Sequence, residues 1–383
     1  MTAKLRLLWL TQHYPPASGG MALSCDRIVS HLRHLGISIT LYHLKRDGPN
    51  KQTYFSPERG TDQRFALGDN AAHSLNLLWL RVQPQQFDAV VGYGFPWAMH
   101  GAYVFAKWLQ RPLVTLIRGN DFDINILDPR RSTMLMTVLQ ASNAILTVSQ
   151  DKALRINALL PTAYTQNIGN GIDLQQWRIL PFDQQQATKW RRDKGLPPSC
   201  RVIGLIGHLK AKKGIPFFIE TLARQQHLQH QVHLLLVGEL DNDTQQLLAT
   251  LPAGCWSHEV MLDRYELPAR YLACDLVAIT SFYDGTPNVL LEAASLGRPV
   301  LGAHCGGMAD LLNENTGWVF DAADNASLTA NLQHWLNSNE ELVAERAQRL
   351  QQLVVNEYNA EQEAQRYLGA IEQTVLQSRK EQR

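Results

Sequence analysis

The sequence predicts an α/β protein built of two doubly wound domains, and three observations carry that prediction. Short apolar runs alternate with amphipathic stretches from one end of the chain to the other. The runs are continuous rather than alternating, the pattern of parallel strands covered by helices on both faces. The 383 residues are too many for one compact core and fit two domains of roughly 150–200 residues each.

In chain order, strands are expected at 5–10, 38–43, 89–92, 113–117 and 144–148. They continue at 202–206, 232–237, 260–262, 276–280, 300–302 and 317–320. Apolar residues recur at helical spacing in 21–35, 97–110 and 215–224. The period is lost between 172 and 199, where Pro181, Gly195, Pro197 and Pro198 stand among polar residues. That composition marks 179–198 as a linker between a first domain at 1–178 and a second at 199–359. Residues 47–70 also lack a period and read as a long loop over the first domain. The segment from about 340 onward is helical and polar on one side, and 360–383 is expected to pack back on the first domain. In doubly wound domains, ligands bind in loops at the carboxyl ends of the strands. These loops are expected to face a shared cleft.

Composition narrows the function. Lys and Arg number 36 and Asp and Glu 35, a net charge of +1, so no global attraction to nucleic acid is expected. Cys25, Cys200, Cys255, Cys274 and Cys305 are dispersed and odd in number. Neither a zinc site nor a disulfide framework is expected, and a reducing cytoplasm fits. The apolar start of the chain is broken by Arg6 and leads into Gln12 and His13, so it reads as a first buried strand rather than a signal peptide. No stretch approaches the ~20 apolar residues of a membrane span.

The densest constellation follows the strand at 276–280. Thr286 suits an N-cap and Pro287 a first helical position, where its missing N–H costs nothing. The helix ends at Gly297, with Pro299 beyond. Its first turn leaves the amides of Asn288 and Val289 without acceptors inside the helix, and the dipole makes that end positive, so a phosphate suits it. Asp284 precedes this turn, beside Gly285, and Glu292 lies eight positions later. Carboxylates accept hydrogen bonds in pairs, as vicinal sugar hydroxyls offer them. Cys305, Gly306 and Gly307 form the next loop, whose glycines permit close backbone approach.

A second loop follows the strand at 202–206 and runs from Gly207 to Gly214. A strand, a glycine, a basic cluster and a helix describe an anion site. Lys213 is placed to neutralise a diphosphate, whereas Lys210 and Lys212 read as solvated. His208 either donates to the same phosphate or is a loop histidine without a role.

The lysine loop, paired with two carboxylates eight positions apart, resembles the retaining GT-B glycosyltransferases of family four. The resemblance covers nearly the whole chain. It implies two Rossmann-like domains, transfer of a sugar from a UDP- or GDP-sugar to a hydroxyl acceptor, and retention at the anomeric carbon. It implies that Lys213 holds the donor phosphates, Glu292 the ribose and Asp284 the transferred sugar. Asp284 is one methylene shorter than the family's glutamate, and His208 stands where the family has arginine. Gly19 and Gly20, after the first strand, match a family loop that closes over the donor.

Arg118 and Asp121 end the strand at 113–117. They have two readings: transition-state charge stabilisation with acceptor orientation, or an ion pair that shapes the loop. Asn170 and Gly171 read as a turn at the exit of the first domain. Gly92 and Gly94 imitate a dinucleotide fingerprint, but Pro96 and Trp97 stand in place of its third glycine. Trp97, Tyr103, Lys107, Trp108 and Arg111 read as a packed helix with a solvated basic edge, the alternative being peripheral contact with a membrane carrying a lipid-linked acceptor. No Asp-x-Asp pair is present, so no metal or other cofactor is implied. The alternatives to transfer are a nucleotide-sugar epimerase of the same fold and an inactive sugar-nucleotide-binding partner. A sugar phosphorylase would need a pyridoxal-type lysine site, which the sequence does not offer.

Overall fold

The computed structural model describes residues 5–17, 19–46, 50–54, 59–83 and 85–381. The chain divides into two compact units, Met1–Gly171 with Ala360–Arg383, and Ile172–Asn359.

Among the described residues the first unit has an eight-stranded sheet. Its strands are β1 (Arg6–Thr11), β2 (Ser38–Lys45), β3 (Lys51–Tyr54), β4 (Gly60–Ala66), β5 (Ala89–Tyr93), β6 (Leu113–Ile117), β7 (Ala144–Thr147) and β8 (Thr165–Asn167), in the order β3-β4-β2-β1-β5-β6-β7-β8. Every pairing is parallel except β3 with β4, which is antiparallel. The continuous apolar runs are explained by burial on both faces. In β1, Leu8 and Leu10 enter one core while Leu7 and Trp9 enter the other. One face is covered by helices Ala71–Val82, Trp97–Leu109 and Ser132–Ala141, the other by Gly20–His34 and Ala360–Glu381. Tyr367, Ile371 and Val375 of the last helix are buried, each large apolar side chain contributing about 1.5–3 kcal/mol.

The second unit has a six-stranded, all-parallel sheet among the described residues. It comprises β9 (Arg201–Ile206), β10 (Val232–Val237), β11 (Trp256–Glu259), β12 (Leu276–Ile279), β13 (Val300–Ala303) and β14 (Trp318–Phe320), in the order β11-β10-β9-β12-β13-β14. The order reverses at β9, which has β10 on one side and β12 on the other. The loops leaving β9 and β12 therefore flank a switch point, where open α/β sheets bind ligands.

Three expectations need correction. Residues 47–70 are not one long loop, because β3 and β4 lie within them; 47–49 and 55–58 lie outside the described residues. The two pair antiparallel and close one edge of the sheet, and neither has the continuous Val, Ile and Leu run of an interior strand, although Phe65 of β4 is buried in the core. Residues 179–198 are not a bare linker. They hold the helix Pro181–Asp193, which belongs to the second unit and buries Asp183, Ala187 and Trp190. Pro181 starts that helix instead of breaking it, and the Asp183 carboxylate accepts from the Leu180 amide at 2.9 Å. The strand expected at 260–262 lies earlier, at Trp256–Glu259, and Val260 and Met261 are exposed.

Candidate functional site

The site in the second unit is assembled by two loops and one helix end. After β9, Gly207 adopts φ +110°, and its amide donates to Val237 O at 2.8 Å. A side chain there would strain the backbone, and its Cβ would lie 3.4 Å from Val289 Cγ2. Gly207 is thus packed against the first turn of the helix Asn288–Ser295. The chain then makes a short turn at Ala211–Lys213, which two bonds pin to the exit of β12. Thr280 Oγ1 donates to Lys213 O at 2.8 Å, and the Phe282 amide donates to Lys212 O at 3.2 Å.

These bonds aim Lys213 at Asp284. The ammonium donates to Asp284 Oδ2, and the Gly285 amide donates to Oδ1 at 3.0 Å. Both side chains are partly exposed, Lys213 at 27% and Asp284 at 19%. The glycine loop after β13 packs beneath them, with the Gly307 amide donating to Gly285 O at 3.1 Å. A Cβ on Gly307 would fall 2.4 Å from Thr286 Oγ1. His208 Nδ1 is buried and has no hydrogen-bond partner among the described residues.

The helix begins one residue later than expected. Pro287 is extended at ψ 137° and is itself the N-cap, so Asn288 is the first helical residue. Thr286 does not cap the helix; it is buried against the Gly307 loop. No side chain caps this end, and the Leu290 amide closes on Pro287 O at 3.1 Å. The amides of Asn288 and Val289 are the first in the helix, where the dipole is positive. Glu292, one turn on, accepts from the Tyr271 hydroxyl at 2.6 Å. Tyr271 was not among the residues expected at the site. It lies 21 positions away, and its sequence context is that of a buried helix aromatic.

In the first unit, Arg118 and Asp121 have internal partners. The buried Arg118 guanidinium donates to Tyr367 Oη at 3.0 Å and to Asn170 Oδ1 at 2.5 Å, and stands 3.5 Å from Glu363 Oε1. Burial works against its charge, but Tyr367, Tyr93 and Glu363 raise its pKa. Arg27 shares the network, donating to Glu363 at 2.9 Å and to Asn170 at 2.6 Å. Asp121 accepts from the Arg118 amide at 2.9 Å and the Gly119 amide at 2.7 Å, while burial pushes its carboxyl up to about 6.

Gly19 has φ +105° and starts the helix Gly20–His34, which has no side-chain cap; Ser18 lies outside the described residues. The helix after Gly94, by contrast, has its first amides occupied. Gln12 Oε1 accepts from Trp97 N at 2.7 Å and Ala98 N at 3.2 Å, which removes the resemblance to a phosphate loop. On that helix Trp97 and Tyr103 pack on the core, while Trp108 is 51% exposed and rests edge-on against Trp79. Among the described residues no three His, Cys, Asp or Glu side chains group as a metal site, and no helix is long and apolar enough to cross a membrane.

The site lies within a segment, residues 200–338, that matches the family model of glycosyl transferases group 1. The second unit belongs to the glycosyl transferases group 1. A curated relative, D-inositol 3-phosphate glycosyltransferase of Segniliparus rotundus, is 30% identical over 145 residues, which is 36% of this chain and 31% of the relative. The chain thus spans about a third of the length of the curated relatives it matches first. Among solved structures, sucrose-phosphate synthase from Thermosynechococcus elongatus superposes with a TM-score of 0.81 at 15% identity, covering 98% of this chain and all of that one. HepE from Anabaena, crystallised with UDP-glucose, superposes with a TM-score of 0.74 at 19% identity, covering 96% and 100%. The chain has the GT-B fold, and both units are α/β with largely parallel sheets.

Proposed function

We propose that the protein is a retaining glycosyltransferase that moves a sugar from a UDP- or GDP-sugar to a hydroxyl acceptor, in polysaccharide, glycolipid or glycoconjugate synthesis. One observation carries this reading: Lys213 and Asp284 meet beside the uncapped start of the helix Asn288–Ser295, at the switch point of a glycosyl transferases group 1 unit.

The donor diphosphate carries two negative charges, and breaking the anomeric bond adds a third to the departing group until it takes up the acceptor hydroxyl's proton. Lys213 and the amides of Asn288 and Val289 are fixed donors for that charge and need no reorganisation as it develops. The buried His208 Nδ1 gains a partner if it meets a phosphate oxygen. Asp284 holds hydroxyls of the sugar, Glu292 those of the ribose, and the Gly19–Gly20 loop takes part in holding the donor. Charge neutralisation by Lys213 gives the reaction a route without a metal. Retention follows from departure and attack on the same face of the sugar, with the diphosphate assisting the incoming hydroxyl. The internal partners of Arg118 and Asp121 favour their loop-shaping reading.

The test is a screen of UDP- and GDP-sugars with hydroxyl acceptors in EDTA-containing buffer, reading nucleotide release and the anomeric configuration of the product. The expected result is acceptor-dependent release with retention, reduced at least about 100-fold in Lys213→Ala and Glu292→Ala, in line with the loss of charge-assisted contacts. Unchanged turnover in both variants contradicts the site. An altered donor sugar without an acceptor favours an epimerase.

A further inference from the structure

Tyr271 lies in the helix Leu267–Ala273 and is completely buried. Its hydroxyl donates to Glu292 Oε2 at 2.6 Å, and its ring meets Trp177 edge-on, with centroids 5.8 Å apart. Burial raises its pKa well above the ordinary tyrosine value, and the neighbouring Glu292 charge raises it further, so the hydroxyl remains a donor throughout the working pH range. Glu292 itself is only half-buried. One end of this hydrogen bond is therefore locked in the core, and the other is a carboxylate reachable from outside.

We propose that Tyr271 is the positioning residue that fixes the Glu292 carboxylate for the two hydroxyls of the donor ribose. The proposal rests on reading Glu292 as the ribose carboxylate. A glutamate on a helix has three side-chain torsions to settle before it can accept two hydroxyls at once. The helix backbone sets where the side chain starts, and the Tyr271 hydroxyl sets where Oε2 ends. With both ends held, little rotamer freedom remains to be lost on binding. The ring cannot yield, because Trp177 packs against it and it has no exposed surface. A burial role alone would be served by phenylalanine. The hydroxyl adds a directed bond to one carboxylate oxygen, and a buried phenol must find such a partner.

Calorimetry with UDP, GDP and their 2′,3′-dideoxy counterparts tests this, because the dideoxy ligands keep the base and diphosphate and lack the ribose hydroxyls. The wild-type protein is expected to prefer its ribonucleotide by on the order of tenfold or more. Tyr271→Phe is expected to lose most of that preference while binding the dideoxy ligand as wild type does. In turnover the loss falls on the donor KM rather than on kcat. Glu292→Asp, which keeps the charge but draws the carboxylate back from the Tyr271 hydroxyl, is expected to lose the preference too; it supplies the reading should Tyr271→Phe not fold. A wild type that prefers the ribonucleotide and a Tyr271→Phe or Glu292→Asp variant that keeps the full preference overturn the positioning role and leave Glu292 at the ribose. A wild type without preference overturns the ribose reading of Glu292, and the proposal with it.

Discussion

Lys213 and Asp284 were separately matched to the phosphates and the sugar, yet their side chains touch each other. At their partial exposure such a pair contributes about 0–1 kcal/mol, so the lysine can exchange its carboxylate for a diphosphate at small cost. Asp121 is a different kind of acid. Burial raises its carboxyl to about 6 even though two backbone amides donate to it. The folded protein thus holds that proton more tightly than the unfolded chain, whose aspartates titrate near 3.9. The stability linked to this proton is present at acid pH and is lost as pH rises from about 4 through about 6. Asp121→Asn cannot ionise, so its melting temperature should improve relative to wild type as pH goes from about 4 to about 7. Melting curves at several pH values check this, and a pH-independent difference between the two proteins contradicts it.

The element that matters most is the start of the helix Asn288–Ser295, and its neighbour Gly307 offers a direct probe. A Cβ on Gly307 would meet Thr286 Oγ1 at 2.4 Å and the backbone of Gly285 and Thr286 at 2.8 Å. Gly307→Ala should therefore displace the turn carrying Asp284, costing about 1–3 kcal/mol and raising the donor KM. Gly369→Ala is the control: it lies within the helix Ala360–Glu381, nothing stands within 4 Å of its Cβ, and it should gain about 0.5–1 kcal/mol. Equal effects of the two substitutions on thermal stability would contradict the packing argument.

The carboxylates, the lysine and the glycine loops were legible in sequence because each is local to one strand–loop–helix step. The pairing of Tyr271 with Glu292 was not, because a contact between separate helices leaves no spacing to read. Interior strands were legible through their Val, Ile and Leu runs. Strands β3, β4 and β8 were not, since none carries a continuous run of Val, Ile and Leu. The helix Pro181–Asp193 was hidden by its glutamines and by a proline that starts it.

At the scale of the whole molecule, each unit is an open, largely parallel sheet with its own buried core on both faces, and the chain passes between them twice, after Gly171 and after Asn359. Both crossings are anchored. Asn170 and Glu363, beside them, are held by Arg27 and Arg118, while Ile172 pairs with Asn359 and donates to Tyr358 O at 2.8 Å. Lys213, Asp284, Glu292 and the start of the helix Asn288–Ser295 all lie in the second unit. The central claim is that those contacts grip a diphosphate through Lys213. Calorimetry of the intact protein with UDP and UMP, and with GDP and GMP, tests it most directly, comparing wild type with Lys213→Ala. A charge-assisted phosphate contact predicts that one diphosphate binds about 10- to 100-fold tighter than its monophosphate, and that Lys213→Ala removes most of that advantage. Equal binding of mono- and diphosphate, or an advantage that survives the loss of Lys213, would contradict the account.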